Sequence, residues 1–87
     1  MSKIYLNLEV RDRYGSILNV FTKEIESEQT PHKDMVFSGN DYTLKAKNVY
    51  FNLDDGTILV RFIENTRQEE INVWDFLETR GWKKLLN

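Results

Sequence analysis

The sequence predicts a small, mainly β domain of the α+β class. Two antiparallel β-hairpins and a bent strand would form a four- to five-stranded sheet or small open barrel, followed by a short C-terminal α-helix. Three observations predict this fold: apolar and polar residues alternate in two separate stretches, each stretch contains a glycine turn signal, and helical spacing of apolar residues occurs only near the C-terminus. The 87 residues are enough for one core, so residues 1–87 are expected to form a single domain.

The first hairpin begins with Lys3–Val10, in which every second residue is aliphatic. The sequence Asp12-Arg13-Tyr14-Gly15 favours a type I turn followed by a left-handed glycine, which gives a three-residue loop with a bulge. This loop pairs Asp12 with Ser16 and aligns Leu8 with Val20. The other face of the hairpin then carries a second apolar set: Tyr5, Ile17, Phe21 and Ile25. A sheet that is apolar on both sides is expected to be covered on both, at least in part.

The second hairpin is predicted in Asn48–Glu64, around Asp55-Gly56. An Asp-Gly pair is typical of a two-residue type I′ turn, because both central residues of that turn need positive φ. A two-residue loop pairs Leu53 with Ile58. One face of the hairpin is then wholly apolar, and the predicted architecture depends on its burial: Val49, Phe51, Leu53, Ile58, Val60 and Phe62.

The segment between the hairpins is a long connection, Glu26–Asp41, in which only Met35–Phe37 resembles a structured segment. A further strand is predicted from Tyr42, since every second residue is apolar up to Ala46. This alternation falls out of step with that of the second hairpin. A β-bulge near Lys47-Asn48, or a bend that lets the strand serve two sheets, would account for the change.

The predicted helix is Val73–Arg80. Asn72 fits the N-cap position, and Asp75 stands three residues later, where a capping acid belongs. Gly81 fits the C′ position, and Trp82 fits the apolar residue that follows it in a Schellman motif. A helix of two turns is not stable alone, so it is expected to pack on the sheet.

Composition restricts the classes of function. The chain has no cysteine, which excludes disulfides and thiolate chemistry, and its net charge of −2 gives no overall attraction to nucleic acid. No apolar run approaches the roughly 20 residues that a membrane-spanning helix needs, and the N-terminal residues lack a signal-peptide core. A soluble, cytoplasmic protein is therefore expected. The many Asn and Lys residues suggest an AT-rich genome, such as that of a phage or a low-GC bacterium.

The sequence argues against an enzyme. His32 is the only histidine, and the nearest acidic residues, Glu28 and Asp34, lack the spacing of metal ligands. There is no G-x-S-x-G motif and no Gly-rich phosphate loop. A hairpin turn accounts for Asp54-Asp55, and a solvated loop accounts for Glu69-Glu70. We therefore predict no catalytic residue, no metal site and no cofactor.

The remaining hypothesis is a non-catalytic protein-interaction module, such as an inhibitor, an adaptor or a regulatory subunit, including a phage factor directed at a host protein. Its basis is the surplus of large apolar residues on second faces of the strands, which one short helix covers only in part. Self-association to a homodimer, through a sheet edge or an apolar patch, is a further form of the same hypothesis. The candidate contact residues are Arg13, Tyr14, Tyr50, Trp74 and Trp82.

The alternative hypothesis is a small β-barrel that binds single-stranded nucleic acid, because such proteins combine stacking aromatic residues with a basic groove. The residues that could serve are the following: Tyr5, Tyr14, Tyr50, Arg11, Arg13, Lys45, Lys47 and Lys83-Lys84. The acidic series Glu24, Glu26 and Glu28 opposes a continuous basic groove. The protein-interaction hypothesis is therefore preferred.

Overall fold

The computed structural model describes residues 2–85, which form a six-stranded mixed sheet in the order β3-β4-β5-β1-β2-β6. The central pair, β1 and β5, is parallel, and every other pair is antiparallel. The mainly β class with a C-terminal helix is confirmed, but the sheet has six strands and does not close into a barrel. The strands are β1 (Ser2–Arg11), β2 (Ile17–Ser27), β3 (Val36–Ser38), β4 (Thr43–Phe51), β5 (Ile58–Asn65) and β6 (Lys83–Lys84).

The predicted turn of the first hairpin is confirmed. Gly15 has a φ of 86°, and its N–H donates to the Asp12 carbonyl at 3.1 Å. The Asp12 carboxylate fixes the turn from inside, since it accepts hydrogen bonds from the N–H groups of Tyr14 and Ser16 at 2.9 and 3.0 Å. A side-chain acceptor at the first turn position is the reason that Asp is favoured there.

The predicted register of β1 and β2 is wrong beyond the turn. Arg11 pairs with Ile17, but Val10 pairs with Asn19, so Leu18 is an extra residue in a β-bulge. The bulge exchanges the two faces of β2. Phe21, which the sequence placed on the face opposite the core, pairs with Leu8 and is fully buried.

The cost and benefit of this bulge can be compared. It turns Phe21 and Ile25 toward the core, and burial of a large apolar side chain stabilises by about 1.5–3 kcal/mol. It also buries Asn19, whose side-chain N and O have no hydrogen-bond partner in the part of the chain that the structure describes. An unpaired buried amide costs about 1–3 kcal/mol. The bulge thus places the large Phe21 ring on the core face, at the cost of one unpaired amide.

The two-residue turn predicted for the second hairpin is also wrong. A four-residue loop, Leu53–Gly56, is closed by a 2.8 Å hydrogen bond from the Asn52 N–H to the Thr57 carbonyl. Asn52 starts the loop, since its side-chain oxygen accepts from the Asp54 N–H at 2.8 Å. Phe51 therefore pairs with Ile58.

The longer loop moves the β4–β5 register by two residues, which preserves the faces but changes their burial. Val60 still faces the core, now opposite Val49. The end of the hairpin extends beyond the core, so that Phe51 is 58% exposed and Leu53 is 90% exposed. Burial of the six-residue face is thus confirmed for β5 and wrong for the tip of β4.

The predicted bulge in β4 is confirmed. Ala46 pairs with Phe62, whereas Asn48 pairs with Arg61, which makes Lys47 the additional residue. Upstream of the bulge, β4 pairs with β3, and the Phe37 ring packs edge-on against the Phe62 ring at 5.2 Å. The Met35–Phe37 segment therefore contributes one anchoring aromatic residue to the core, while Val36 stays exposed.

The C-terminal helix is a 3₁₀ helix, Asp75–Arg80, preceded by a 3₁₀ turn at Gln68–Glu70. The predicted N-cap is wrong, since no side chain caps the helix, and Asp75 forms an ion pair with Lys84 instead. The predicted C-terminus is confirmed. Gly81 is left-handed with a φ of 89°, and the Trp82 N–H donates to the Leu77 carbonyl at 3.1 Å, as in a Schellman motif.

The core lies on one face of the sheet, under the helix and the residues that follow it. Leu77 and Trp82 are buried against the sheet, and Trp74 and Phe76 pack at its margin. The buried residues of the strands are Ile4, Leu6, Leu8, Val10, Phe21, Leu44, Ala46, Ile58, Val60 and Phe62. We call the opposite side of the sheet the outer face.

Candidate functional site

The five predicted contact residues lie in three separate places. Arg13 and Tyr14 are exposed at the tip of the first hairpin. Tyr50 is exposed on the outer face, and Trp74 is partly buried beside the core. The structure therefore does not bring them together as one site.

Trp82 is not available to a partner in this conformation. Only 5% of the residue is exposed, and its indole N–H donates to the Tyr42 hydroxyl at 2.9 Å. Its ring packs edge-on against Phe62. Trp74 is partly buried, and its ring stacks on the Phe76 ring with centroids 6.0 Å apart. Both indoles are therefore held by the core of this domain.

Arg13 and Tyr14 line a wide cleft of about 770 Å³ between the first turn and residues 65–70. The Arg13 guanidinium lies 4.8 Å from the centre of the Tyr14 ring. The lining also contains Asp12, Glu69 and Glu70, so the cleft carries both positive and negative charges. The lining is therefore mostly polar and charged.

Residues with catalytic or metal-binding chemistry are scattered. His32 is exposed, and its Nδ1 lies 2.9 Å from the Lys33 carbonyl. Asp55 is committed to the hairpin turn, where hydrogen bonds from the Thr57 N–H and hydroxyl hold the pKa of its carboxyl below the usual value. Within residues 2–85, no group of three His, Asp or Glu side chains is placed to hold a metal ion.

The outer face carries an exposed row of large side chains across three strands. Tyr5 of β1 pairs with Leu59 of β5, and Leu59 pairs with Tyr50 of β4. They are 38%, 38% and 50% exposed, although β1 and β5 are the central strands of the sheet. Such exposure in the middle of a sheet means that nothing in the described chain packs over the row.

A charged network lies beside this row, one step further along the strands. The Arg61 Nε donates to the Glu9 carboxylate at 2.6 Å, and Arg11 Nε donates to the same carboxylate at 3.0 Å. The Asn48 side-chain oxygen accepts from the Arg61 guanidinium at 3.2 Å. The Arg61 hydrogen bond, followed by that of Arg11, holds the pKa of Glu9 below its usual value. The network fixes Arg61 in one orientation on the outer face.

Glu64 has the opposite electrostatic character. It pairs with Val10 at the end of the core face of β5, and burial raises the pKa of its carboxyl. A carboxylate that loses hydration without gaining a cation destabilises the folded protein in its charged form.

Removal of the charge should have opposite effects on the free energy of unfolding at these two glutamates. We expect Glu9→Gln to lower the free energy of unfolding at pH 7 by about 1–2 kcal/mol, since charge-assisted hydrogen bonds are lost at a partly solvated site. We expect Glu64→Gln to raise it slightly. The contribution of Glu9 is present above its unfolded pKa and is lost as pH falls through its lower folded pKa. Urea titrations between pH 3 and 7 give the free energy of unfolding as a function of pH. We expect it to fall less steeply toward acid pH for Glu9→Gln than for the wild type; an equal slope would contradict the role of the network.

The sequence indicated part of the outer face and missed the rest. Tyr5, Tyr50 and Leu59 were recognisable as apolar residues on second faces of strands. Their contact as one row was not, because it depends on the parallel pairing of β1 with β5, which no hairpin signal encodes. The Glu9–Arg61 pair was missed for the same reason.

The comparison with known proteins finds no match. No protein-family model matches the chain, no curated protein is similar to it, and no solved structure resembles it. Among the described residues, no helix has the length and apolar character needed to span a membrane. The surfaces of the molecule are therefore the observations from which its function is inferred.

Proposed function

We propose that this protein is a non-catalytic interaction module, an inhibitor, adaptor or regulatory subunit, that binds another protein through its outer face. The observation that carries the proposal is the exposed row of Tyr5, Leu59 and Tyr50 on the central strands. Aromatic residues at the centre of an exposed surface are typical of protein interfaces, because they bury a large area with few rotatable bonds.

The surroundings of the row support an interface with a polar rim. Arg61 lies next to the row, already held in place by Glu9 and Asn48, so that little side-chain entropy is lost when a partner contacts it. Lys45 and Lys47 of β4 are exposed and form no ion pair within residues 2–85. The partner that fits this surface has an apolar centre and acidic residues opposite β4.

The proposal predicts that Leu59→Lys weakens partner binding by at least about tenfold, because it places a charge in the middle of the apolar row. The partner would be captured from native lysate, identified by mass spectrometry and titrated by calorimetry. Leu53→Lys is the matched control, since Leu53 is more exposed than Leu59 but lies at the hairpin tip, away from the row. Equal affinity of both variants for the partner would rule out the outer face as the interface.

A second candidate, single-stranded nucleic-acid binding, is favoured by one observation. Tyr5 and Tyr50 share the outer face with Arg61, and aromatic rings beside a guanidinium are a stacking platform for bases. Glu9 offsets much of the positive charge there. We expect mixed oligonucleotides to give no gel shift at physiological salt; micromolar binding that weakens steeply with salt would reverse the order of the two candidates.

A further inference from the structure

Two strand edges flank a gap on the core side of the sheet. The edge of β2 is paired with β6 only at Phe21 and Thr22, so within residues 2–85 no second strand lies beside Lys23–Ser27. The short strand β3 pairs with β4, and no other strand in the described part of the chain lies along its second edge. Residues of both edges line the same cavities, so the two edges face each other across an opening that we call the β2–β3 groove.

At every second residue of β2, the main-chain N–H and C=O groups point away from β1 and toward this groove. The Leu85 N–H donates to the Val20 carbonyl at 2.7 Å, so the polar groups of Val20 point away from β1. The β1–β2 register is regular from Asn19 to Ser27, and this direction alternates along a regular antiparallel strand. The N–H and C=O groups of Glu24 and Glu26 therefore point into the free edge, where a further strand could pair with them.

The floor of the groove contains two cavities. One, of about 190 Å³, lies between Lys23 and Ile25 of β2 and the Phe37-Ser38 end of β3. The other, of about 210 Å³, extends along Ile25 and Ser27 toward Met35. The two cavities are thus offset by two residues along β2. Inward-facing side chains of an added strand are spaced by the same two residues, about 6.6–6.8 Å, so consecutive ones would enter the two cavities.

The outer side of the same edge is acidic. Glu24 and Glu26 project onto the outer face, and exposed Glu28 follows directly after β2. Lys3 approaches Glu24 at 3.8 Å, while Glu26 and Glu28 have no ion pair within residues 2–85. Cross-strand neighbours of opposite charge stabilise a pair of strands, so a strand next to these glutamates is favoured if it carries Lys or Arg there.

We propose that the β2–β3 groove binds an extended segment of a partner protein, which adds to the edge of β2 as a new strand. The segment has apolar side chains at alternate positions, directed into the two cavities, and Lys or Arg at the positions between them. Main-chain hydrogen bonds to Glu24 and Glu26 supply affinity, and the cavities and carboxylates supply specificity. This inference rests on the proposed function, because it supposes a protein partner. It uses a surface separate from the exposed row of Tyr5, Leu59 and Tyr50.

The test is an NMR titration of the isotope-labelled protein with a blocked peptide, Lys-Leu-Lys-Val-Lys-Leu-Lys. We expect amide shift changes in Glu24–Ser27 and Val36–Ser38, and binding at least about tenfold weaker for the same peptide with Glu in place of every Lys. Glu26→Pro removes an N–H that faces the free edge, and it leaves the hydrogen bonds between β1 and β2 in place. We therefore expect the affinity of this variant for the Lys peptide to be lower by about tenfold or more. Glu26→Ala is the matched control, which loses only the charge.

A double variant keeps the test decisive if the proline disturbs folding. Glu24→Lys with Glu26→Lys changes only exposed side chains of the edge, and it should exchange the preference between the Lys and the Glu peptides. Shift changes absent from the groove, or an unchanged preference in the double variant, would overturn the proposal. If the protein formed a dimer without peptide and Glu26→Pro abolished that dimer, the groove would bind a second copy of this chain. That result would also overturn the proposal. A failed peptide titration leaves the Leu59→Lys result intact, so the two proposals fail separately.

Discussion

Val60→Asp is expected to abolish folding at 37 °C. Val60 is fully buried in the centre of the sheet, between Leu6 of β1 and Val49 of β4. An ionised carboxylate there has no cation to pair with, and the penalty of several kcal/mol is a large part of the roughly 5–15 kcal/mol that stabilises a domain. The measurement is a two-dimensional NMR spectrum, in which the dispersed amide signals of the wild type should collapse.

Leu53→Asp is the matched control for this substitution. The sequence places Leu53 and Val60 on the same apolar face, whereas the structure leaves Leu53 90% exposed at the hairpin tip. We expect its spectrum to stay dispersed and its melting temperature to remain close to that of the wild type. Unfolding of both variants would contradict the exposed position of Leu53 at the hairpin tip.

Trp82→Ala is expected to lower the free energy of unfolding by about 3–5 kcal/mol, as for other large aromatic residues removed from a core. The substitution empties the space between Phe62 and Tyr42, and it removes the apolar residue that follows the helix C-cap. Urea denaturation followed by circular dichroism measures the loss directly.

Tyr42→Phe separates the hydrogen bond from the packing. It leaves the Trp82 indole N–H without its acceptor but keeps the aromatic ring, so a smaller cost of about 1–3 kcal/mol is expected. If Trp82→Ala proved as mild as Tyr42→Phe, Trp82 would not be a core residue. An interface role for it would then return.

The fold was predictable from sequence wherever a local signal and burial agree. The Asp12–Gly15 turn and the Gly81 cap each depend on a few adjacent residues, and both are correct. The out-of-step alternation before Val49 likewise located the β4 bulge. The errors arise where a tertiary preference overrides a local one. The bulge at Leu18 exists because it buries Phe21, which no turn rule contains.

The candidate surfaces were less predictable, because each is made by strands that are distant in sequence. Tyr5 and Leu59 become neighbours only through the parallel β1–β5 pair. The groove needs the unpaired edges of β2 and β3 to face each other, and residues of the 28–35 connection line part of it. A single sequence has no periodicity that reports either arrangement.

The position of β1 also bears on how the chain folds. Its residue Ile4 pairs with Ile58, so the middle of the sheet cannot be completed until β5, which follows β1 after three other strands, is present. Contacts so distant in sequence slow folding. Until they form, the β1–β2 hairpin exposes its apolar core face, which favours aggregation. Shortening the protein from its C-terminal end should therefore give insoluble material rather than a smaller folded unit.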